Sequence, residues 1–287
     1  MKKFSSISKL NNINTITIGK FDSMHLAHNA ILNRLGKDGI ILIIKMKTLK
    51  DSSIIPHHKK SKYALNDMYY IDFHKIKNLS GKKFIKYLKN KLPNLKTIIV
   101  GCDFRFGKDR KSGVEDITKE NNLNVVILEE MKIDNIPIHS SYIRNFLLEG
   151  DLENANKLLG RHYSIEGNVI KGQGRGQSEL FPTLNIIAND YLLPKDGVYI
   201  TYTRIESSIF QSISFIGNRL STDMSFAIET HIINKIIPTP KSEIEIFFFK
   251  RIRDNKKFSN LASLKTQIEI DINEALIFFK NQDKLNG

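Results

Sequence analysis

Two kinds of apolar pattern alternate along the first half of the chain: short continuous runs, and stretches with apolar positions every three or four residues. Thr15-Ile16-Thr17-Ile18, ended by Gly19, is β-branched throughout and predicts a short buried strand. Asn29 to Leu35 carries its apolar residues at helical spacing and predicts a helix. Gly39–Ile44 is a continuous apolar run of strand length, suited to a parallel sheet covered on both faces. Lys45 to Asp67 is polar and irregular and reads as loop, His57-His58 included. Phe84, Tyr87 and Leu88 predict a helix over Gly81 to Leu92 that Pro93 stops. Lys96–Val100 and Asn124–Leu128 predict two further strands. Strands alternating with helices give an α/β domain with a mainly parallel sheet, whose ligand is expected at the carboxyl ends of the strands.

The pattern then changes. Ser140-Ser141 offers a hydroxyl cap for a helix over Tyr142–Leu148, and Glu149-Gly150-Asp151 breaks it. Leu152 to Leu159 predicts a second short helix, ended by Gly160. From Tyr163 onward, β-rich runs are separated by Gly, Pro, Asn and Asp: Ser164–Ile170, Gly197–Thr203, Ile209–Gly217, Ser225–Ile233 and Glu243–Phe249. With one closing helix over Leu261 to Phe279 they predict a small β-barrel. The domain boundary is expected at Gly160-Arg161, giving domains 1–160 and 161–287.

At 287 residues the chain can bury two cores, and no apolar run approaches bilayer-spanning length. The charged start Met1-Lys2-Lys3 continues into polar Ser and Asn rather than an apolar segment, so a cytoplasmic protein is expected. Cys102 is the single cysteine, which excludes an internal disulfide and a multi-cysteine metal site. The net charge of +14 fits a nucleic acid, a membrane surface or small anionic substrates equally. The lysines are scattered, without interleaved aromatics, so a solvated surface is the preferred reading: no nucleic-acid partner and no membrane partner is expected. The oligomeric state is not legible.

Candidate chemistry begins in the turn after the first strand. His25 and His28, three residues apart, can face one side of a helix start beside backbone N–H groups that lack intrahelical partners, and such an end attracts phosphate. Gly101 to Lys108, directly after a buried strand, combines Asp103, Phe104, Arg105, Phe106 and Gly107; it could hold a flat ring and an anion, or its phenylalanines could simply pack. Ser140, Ser141 and Arg144 suit a triphosphate, or form an ordinary capped helix. Gly172, Gly174, Arg175 and Gly176 would let backbone N–H groups approach phosphate, or form a flexible hairpin.

Order and spacing join these pieces. Gly19-Lys20-Phe21-Asp22 with His25-Leu26-Ala27-His28 comes first, followed by Val100 to Gly107 and by Ser140 to Arg144. Glu149 to Leu152, Leu158 to Arg161, Phe181-Pro182-Thr183-Leu184-Asn185, Leu193 to Tyr199 and Glu229-Thr230-His231 complete the series. The chain resembles the bacterial bifunctional riboflavin kinase/FAD synthetase family from about Thr15 almost to its C-terminus. The resemblance implies an α/β nucleotidyltransferase-like (Rossmann-like) domain that transfers AMP from ATP to FMN, and a β-barrel that phosphorylates riboflavin. It implies that His25, His28, Ser141 and Arg144 stabilise ATP phosphates, and that Gly19, Phe21, Asp22 and Ser140 line the same site. The loop Asp103–Gly107 would hold the flavin. In the barrel it implies Glu229 as general base, Thr183 and Asn185 as Mg²⁺ ligands, Gly172 to Gly176 at phosphate and Arg253 on the flavin side. Thr183 and Asn185 are alternate residues, which share a face of an extended segment, and their hard oxygens suit Mg²⁺.

The chain departs from the family at several points. Ser23 and Ala27 stand where glycine is usual, no F-x-P-H-P segment follows the second strand, and Gly217-Asn218-Arg219-Leu220-Ser221 stands where G-x-R-P-T is expected. Two other readings stay open to the sequence: one competent module, the kinase before the other, or a non-catalytic flavin- or nucleotide-binding protein. A base opposite a metal-ligand pair speaks for catalysis.

Overall fold

The structure, a computed structural model, describes residues 1–46, 52–119, 123–170, 181–221 and 223–286. These form two compact units, Met1–Ser140 and Ser141–Gly287.

The first unit is built on strands β1 (Lys2–Lys3), β2 (Thr15–Gly19), β3 (Gly39–Lys45), β4 (Met68–Asp72), β5 (Thr97–Gly101) and β6 (Asn124–Leu128). They form one sheet in the order β1-β4-β3-β2-β5-β6, and every pairing is parallel. Ile40 to Ile43 are each at most 2% exposed, because a parallel sheet is covered on both faces. Helix α1 (Leu26–Leu32), the single turn α2 (Phe73–Ile76), α3 (Gly81–Lys91) and α4 (Val114–Lys119) connect the strands. Phe84, Ile85 and Leu88 of α3 share one apolar cluster with Ile16, Ile18, Leu42, Ile98 and Val100. Each such buried Ile or Leu contributes roughly 1.5–3 kcal/mol. A small hairpin, β7 (Lys132–Ile133) with β8 (Ile136–Pro137), completes the unit.

Two expectations shift here. The first helix starts at Leu26, three residues early, because His25 caps it: its Nδ1 accepts the backbone N–H of His28 at 3.1 Å. Met68–Asp72, which shows no clean alternation, is a strand because β3 and β1 flank it, with Lys3 paired to Asp72 at 2.8 Å.

The second unit begins at Ser141, one residue into α5 (Ser140–Glu149), and includes α6 (Leu152–Leu159); the sequence reading assigns both helices to the first domain. They belong with the barrel because polar groups tie them to it. Lys195 N–H donates to the Leu147 carbonyl, and the Asn156 amide donates to the Phe248 carbonyl while accepting the Tyr163 N–H. Gly160 closes α6 at φ +70°, a conformation glycine adopts without strain.

Strands β9 (Tyr163–Ile170), β10 (Leu184–Ile187), β11 (Gly197–Ile205), β12 (Ser208–Asn218), β13 (Phe226–Ile232) and β14 (Ile244–Arg253) close an antiparallel barrel in the order β10-β13-β12-β11-β14-β9. Helix α7 (Leu261–Asn286) covers its outside, Ala275 and Phe279 packing on Ile200, Ile213 and Ile233. Alternate residues on the opposite face include Thr201, Thr203, Ser212, Ser214 and Thr230. These five hydroxyls are fully or almost fully buried and bond to one another at 2.8–2.9 Å, so each polar group is satisfied without water. No helix among the described residues is long and apolar enough to cross a membrane.

Candidate active sites

In the first unit the chain runs from β2 to β3 and β4 on one side, then returns to β5 and β6 on the other. The strand order therefore reverses between β2 and β5. Open α/β sheets bind ligands at the carboxyl ends of the strands flanking such a reversal. Here β2 pairs with β3 over five residues but with β5 only from Thr15 to Thr17. The two strand ends are unpaired from one another beyond that point, and the loops that leave them carry the residues singled out above.

On the β2 side, Gly19 ends the strand, and a Cβ there would lie 3.1 Å from the Phe21 ring. Phe21 is 2% exposed and adopts φ +48°; its ring lies 4.7 Å from that of His28. His25 is buried and His28 half-buried, their rings stacked at 3.6 Å and 7°. Three contacts missed by the sequence reading brace this turn. Lys60 is 1% exposed, and its ammonium donates to the Lys20 carbonyl at 3.0 Å. Burial pushes that amine down to about 8, with Asp22 acting in the opposite sense. Ile55 N–H donates to the Asp22 carbonyl, and Ser23 Oγ lies 2.9 Å from Ser140 Oγ. Lys60 opens a single 3-10 turn (Lys60–Tyr63), too short to carry a periodicity that would mark a buried position.

On the β5 side, Asp103 and Arg105 are exposed, and Arg105 Nη1 donates to the Phe104 carbonyl. Phe104 stacks on Phe106 at 5.6 Å, and Phe106 is 7% exposed and joins the core beside Phe84. Phe106 is thus packing, and Phe104 is the more accessible of the two rings. Gly107 adopts φ +74° against the Gly81 backbone. Ser141 and Arg144 lie in the first turn of α5, Ser141 exposed and Arg144 half-buried, and they belong to the second unit.

The barrel holds the second constellation. Asn185 of β10 stands directly opposite Glu229 of β13 in the antiparallel register. Arg219, in the β12–β13 hairpin, bridges them: Nε and Nη2 approach Glu229 Oε1 at 2.9 and 2.7 Å, and Nη2 donates to Asn185 Oδ1 at 2.6 Å. Thr183 is exposed two residues before Asn185. His231, two residues after Glu229, holds the preceding segment through its Nδ1 and the Pro182 carbonyl at 2.8 Å; desolvation keeps its pKa below the ordinary value.

Family comparisons match one model in each half of the chain. The FAD synthetase family matches residues 44–142 and the riboflavin kinase family matches residues 159–279. A bifunctional riboflavin kinase/FMN adenylyltransferase from Buchnera aphidicola is 31% identical over 93% of this chain and 94% of its own. The protein of that name from Bacillus subtilis is 28% identical over 94% of this chain and 93% of its own. The chain belongs to the bifunctional riboflavin kinase/FMN adenylyltransferase family. A crystal structure described as a macrolide-efflux protein from Streptococcus pneumoniae has a TM-score of 0.81 to this chain. It covers 94% of this chain and 96% of that one at 23% identity, and shows a shared fold.

As in its family, this chain carries a Rossmann-like domain and a closed antiparallel barrel with a C-terminal helix. Among the described residues no group of three or more His, Cys, Asp or Glu could hold a metal. The Thr183 hydroxyl and Asn185 amide oxygen are a hard, neutral donor pair. Such a pair fits Mg²⁺ that takes its remaining ligands from water and nucleotide phosphate. Arg253 is committed elsewhere: Nε and Nη2 clasp Asp271, which is 1% exposed, so its guanidinium anchors α7. Gly172, Gly174, Arg175 and Gly176 lie outside the described residues. Arg219 stood in the sequence only as part of a departing motif; its position ten residues before Glu229, at a hairpin mouth, was the available signal.

Proposed function

We propose that the protein phosphorylates riboflavin to FMN with ATP in the barrel, and adenylylates FMN with a second ATP in the first unit, giving FAD and pyrophosphate. The observation that carries the reading is Glu229 facing Asn185 across β10 and β13. A carboxylate base directly opposite a neutral oxygen ligand suits phosphoryl transfer to a hydroxyl.

In the kinase step the ribityl hydroxyl attacks the γ-phosphorus. An O–P bond forms, the bond to the β-phosphate oxygen breaks, and the hydroxyl proton passes to Glu229. Oε1 of Glu229 is held by Arg219, while Oε2 has no partner among the described residues and is the oxygen that takes the proton. Thr183 and Asn185 would hold Mg²⁺, which when bound neutralises charge on the phosphates. His231 supports this pair by fixing Pro182, one residue before Thr183.

Adenylyl transfer needs no base, because the FMN phosphate is already an anionic nucleophile. Its oxygen bonds to the α-phosphorus of ATP as pyrophosphate leaves. Within the first unit the residues act by alignment and charge: His25, His28 and Ser140 at the phosphates, with Asp103, Phe104 and Arg105 toward the flavin. The Nδ1 cap fixes the orientation of the His25 ring at the start of α1.

Incubation with riboflavin, ATP and Mg²⁺, with FMN and FAD followed separately by chromatography, tests both halves. FMN without FAD, also when FMN is supplied directly, supports the kinase-only reading, which Ala27 and the missing F-x-P-H-P segment favour. Absence of FAD alone overturns the adenylylation half, and absence of both products overturns the whole proposal.

A further inference from the structure

Arg219 has more partners than a hairpin stitch requires. Besides Glu229 Oε1 and Asn185 Oδ1, its Nη1 donates to Ser225 Oγ at 2.6 Å and lies 3.9 Å from Asp223 Oδ2. Its side chain is 18% exposed and that of Glu229 22%, so the fork is partly shielded but reachable from solvent. The guanidinium spans the gap between the base and the proposed metal ligand. That gap is where the transferring phosphoryl group must sit, since the base contacts the attacking hydroxyl and the metal ligands contact the β- and γ-phosphates.

The contacts are unequal in kind. The bond to Glu229 joins two charges, whereas the bond to Asn185 ends on a neutral amide oxygen. Both bonds have a charged donor, but only the one to Glu229 adds the attraction of opposite charges. An incoming phosphoryl oxygen therefore displaces the Asn185 contact first. Nη2 then leaves both Asn185 Oδ1, which would be able to hold the metal, and Glu229 Oε1 for the γ-phosphate, while Nε keeps Glu229 Oε1 and leaves Oε2 for the proton.

We propose that Arg219 is a further catalytic residue of the kinase site: its guanidinium, which bridges Glu229 and Asn185, contacts the γ-phosphoryl oxygens when ATP binds. The proposal rests on the riboflavin kinase reading. Planar two-pronged geometry is needed to hold a carboxylate and a phosphoryl group at once, so lysine is a poor substitute.

The test uses the full chain, with Arg219→Gln and Arg219→Lys. Calorimetry measures the affinity for Mg²⁺-ADP and for a non-hydrolysable Mg²⁺-ATP analogue; riboflavin phosphorylation is followed in parallel, and thermal melts verify folding. The expected result for Arg219→Gln is a fall in kcat of roughly 10³-fold or more, the range for an arginine at a transferring phosphoryl group. Affinity for the ATP analogue should fall about tenfold with ADP affinity unchanged, and Arg219→Lys should recover only part of the rate. A variant that keeps its rate, or that loses ADP and analogue affinity alike, overturns the assignment. Failure of the underlying reading looks different: the unmodified protein itself would then make no FMN.

Discussion

The imidazoles of His25 and His28 lie face to face, 3.6 Å apart at 7°, while His25 Nδ1 accepts the His28 backbone N–H. One short stretch thereby does two jobs. It caps α1 and aligns two rings at the strand end where the sheet order reverses.

These jobs separate by substitution. His28→Ala keeps its backbone N–H and hence the cap, so the fold should persist while adenylyl transfer loses one preorganised donor. The barrier should rise on the order of 2–4 kcal/mol, and FMN should accumulate without FAD. His25→Ala should lower thermal stability by about 1 kcal/mol through loss of the cap, and His25→Asn should restore stability but not FAD formation. Melting curves and product chromatography read the two effects independently.

Glu229→Gln retains an acceptor for Arg219 but has no carboxylate to take a proton. Riboflavin phosphorylation should fall roughly 10²-fold or more while ADP binding stays nearly intact. Retention of most of the rate would assign Glu229 a structural role.

Asn185→Ala removes a proposed metal ligand and an acceptor of Arg219. The kinase should need more Mg²⁺ for half its maximal rate, with FMN adenylylation unchanged because it belongs to the other unit. A Mg²⁺ titration of both activities on one preparation measures this, and equal loss of both would point to unfolding.

Lys60 makes stability depend on pH. Its amine titrates at about 8 in the folded protein against an ordinary 10.5. Between those values the unfolded chain binds the proton and the native chain does not, so this residue's contribution rises with pH across that window. Below it, the native state carries a buried charge at a cost of about 3 kcal/mol. Lys60→Met lacks this dependence. The stability difference between wild type and variant, measured by denaturant unfolding from about pH 7 to 10.5, should move in favour of wild type by up to that amount.

The sequence alone determined what repeats or runs in order. The buried strands of the parallel sheet, the change to β-rich runs after Tyr163 and the ordered family segments are local, because period and turn chemistry follow from neighbours in the chain. The pairing of Asn185 with Glu229 was implied in role but not in register, since 44 residues of chain separate them and cross-strand register depends on the closed barrel. Only the tertiary structure decided that His25 caps α1 and that Phe106 belongs to the core. Only it committed Arg253 to Asp271 and buried Lys60 under the first turn. The cap is local but uses an imidazole, which lies outside the usual capping residues; the other partners are set by packing, and a buried amine in one short turn leaves no periodic trace. Arg219 is the clearest instance. Its identity was in the sequence, but its position between a base and a metal ligand exists only once the β12–β13 hairpin brings its guanidinium back over β10.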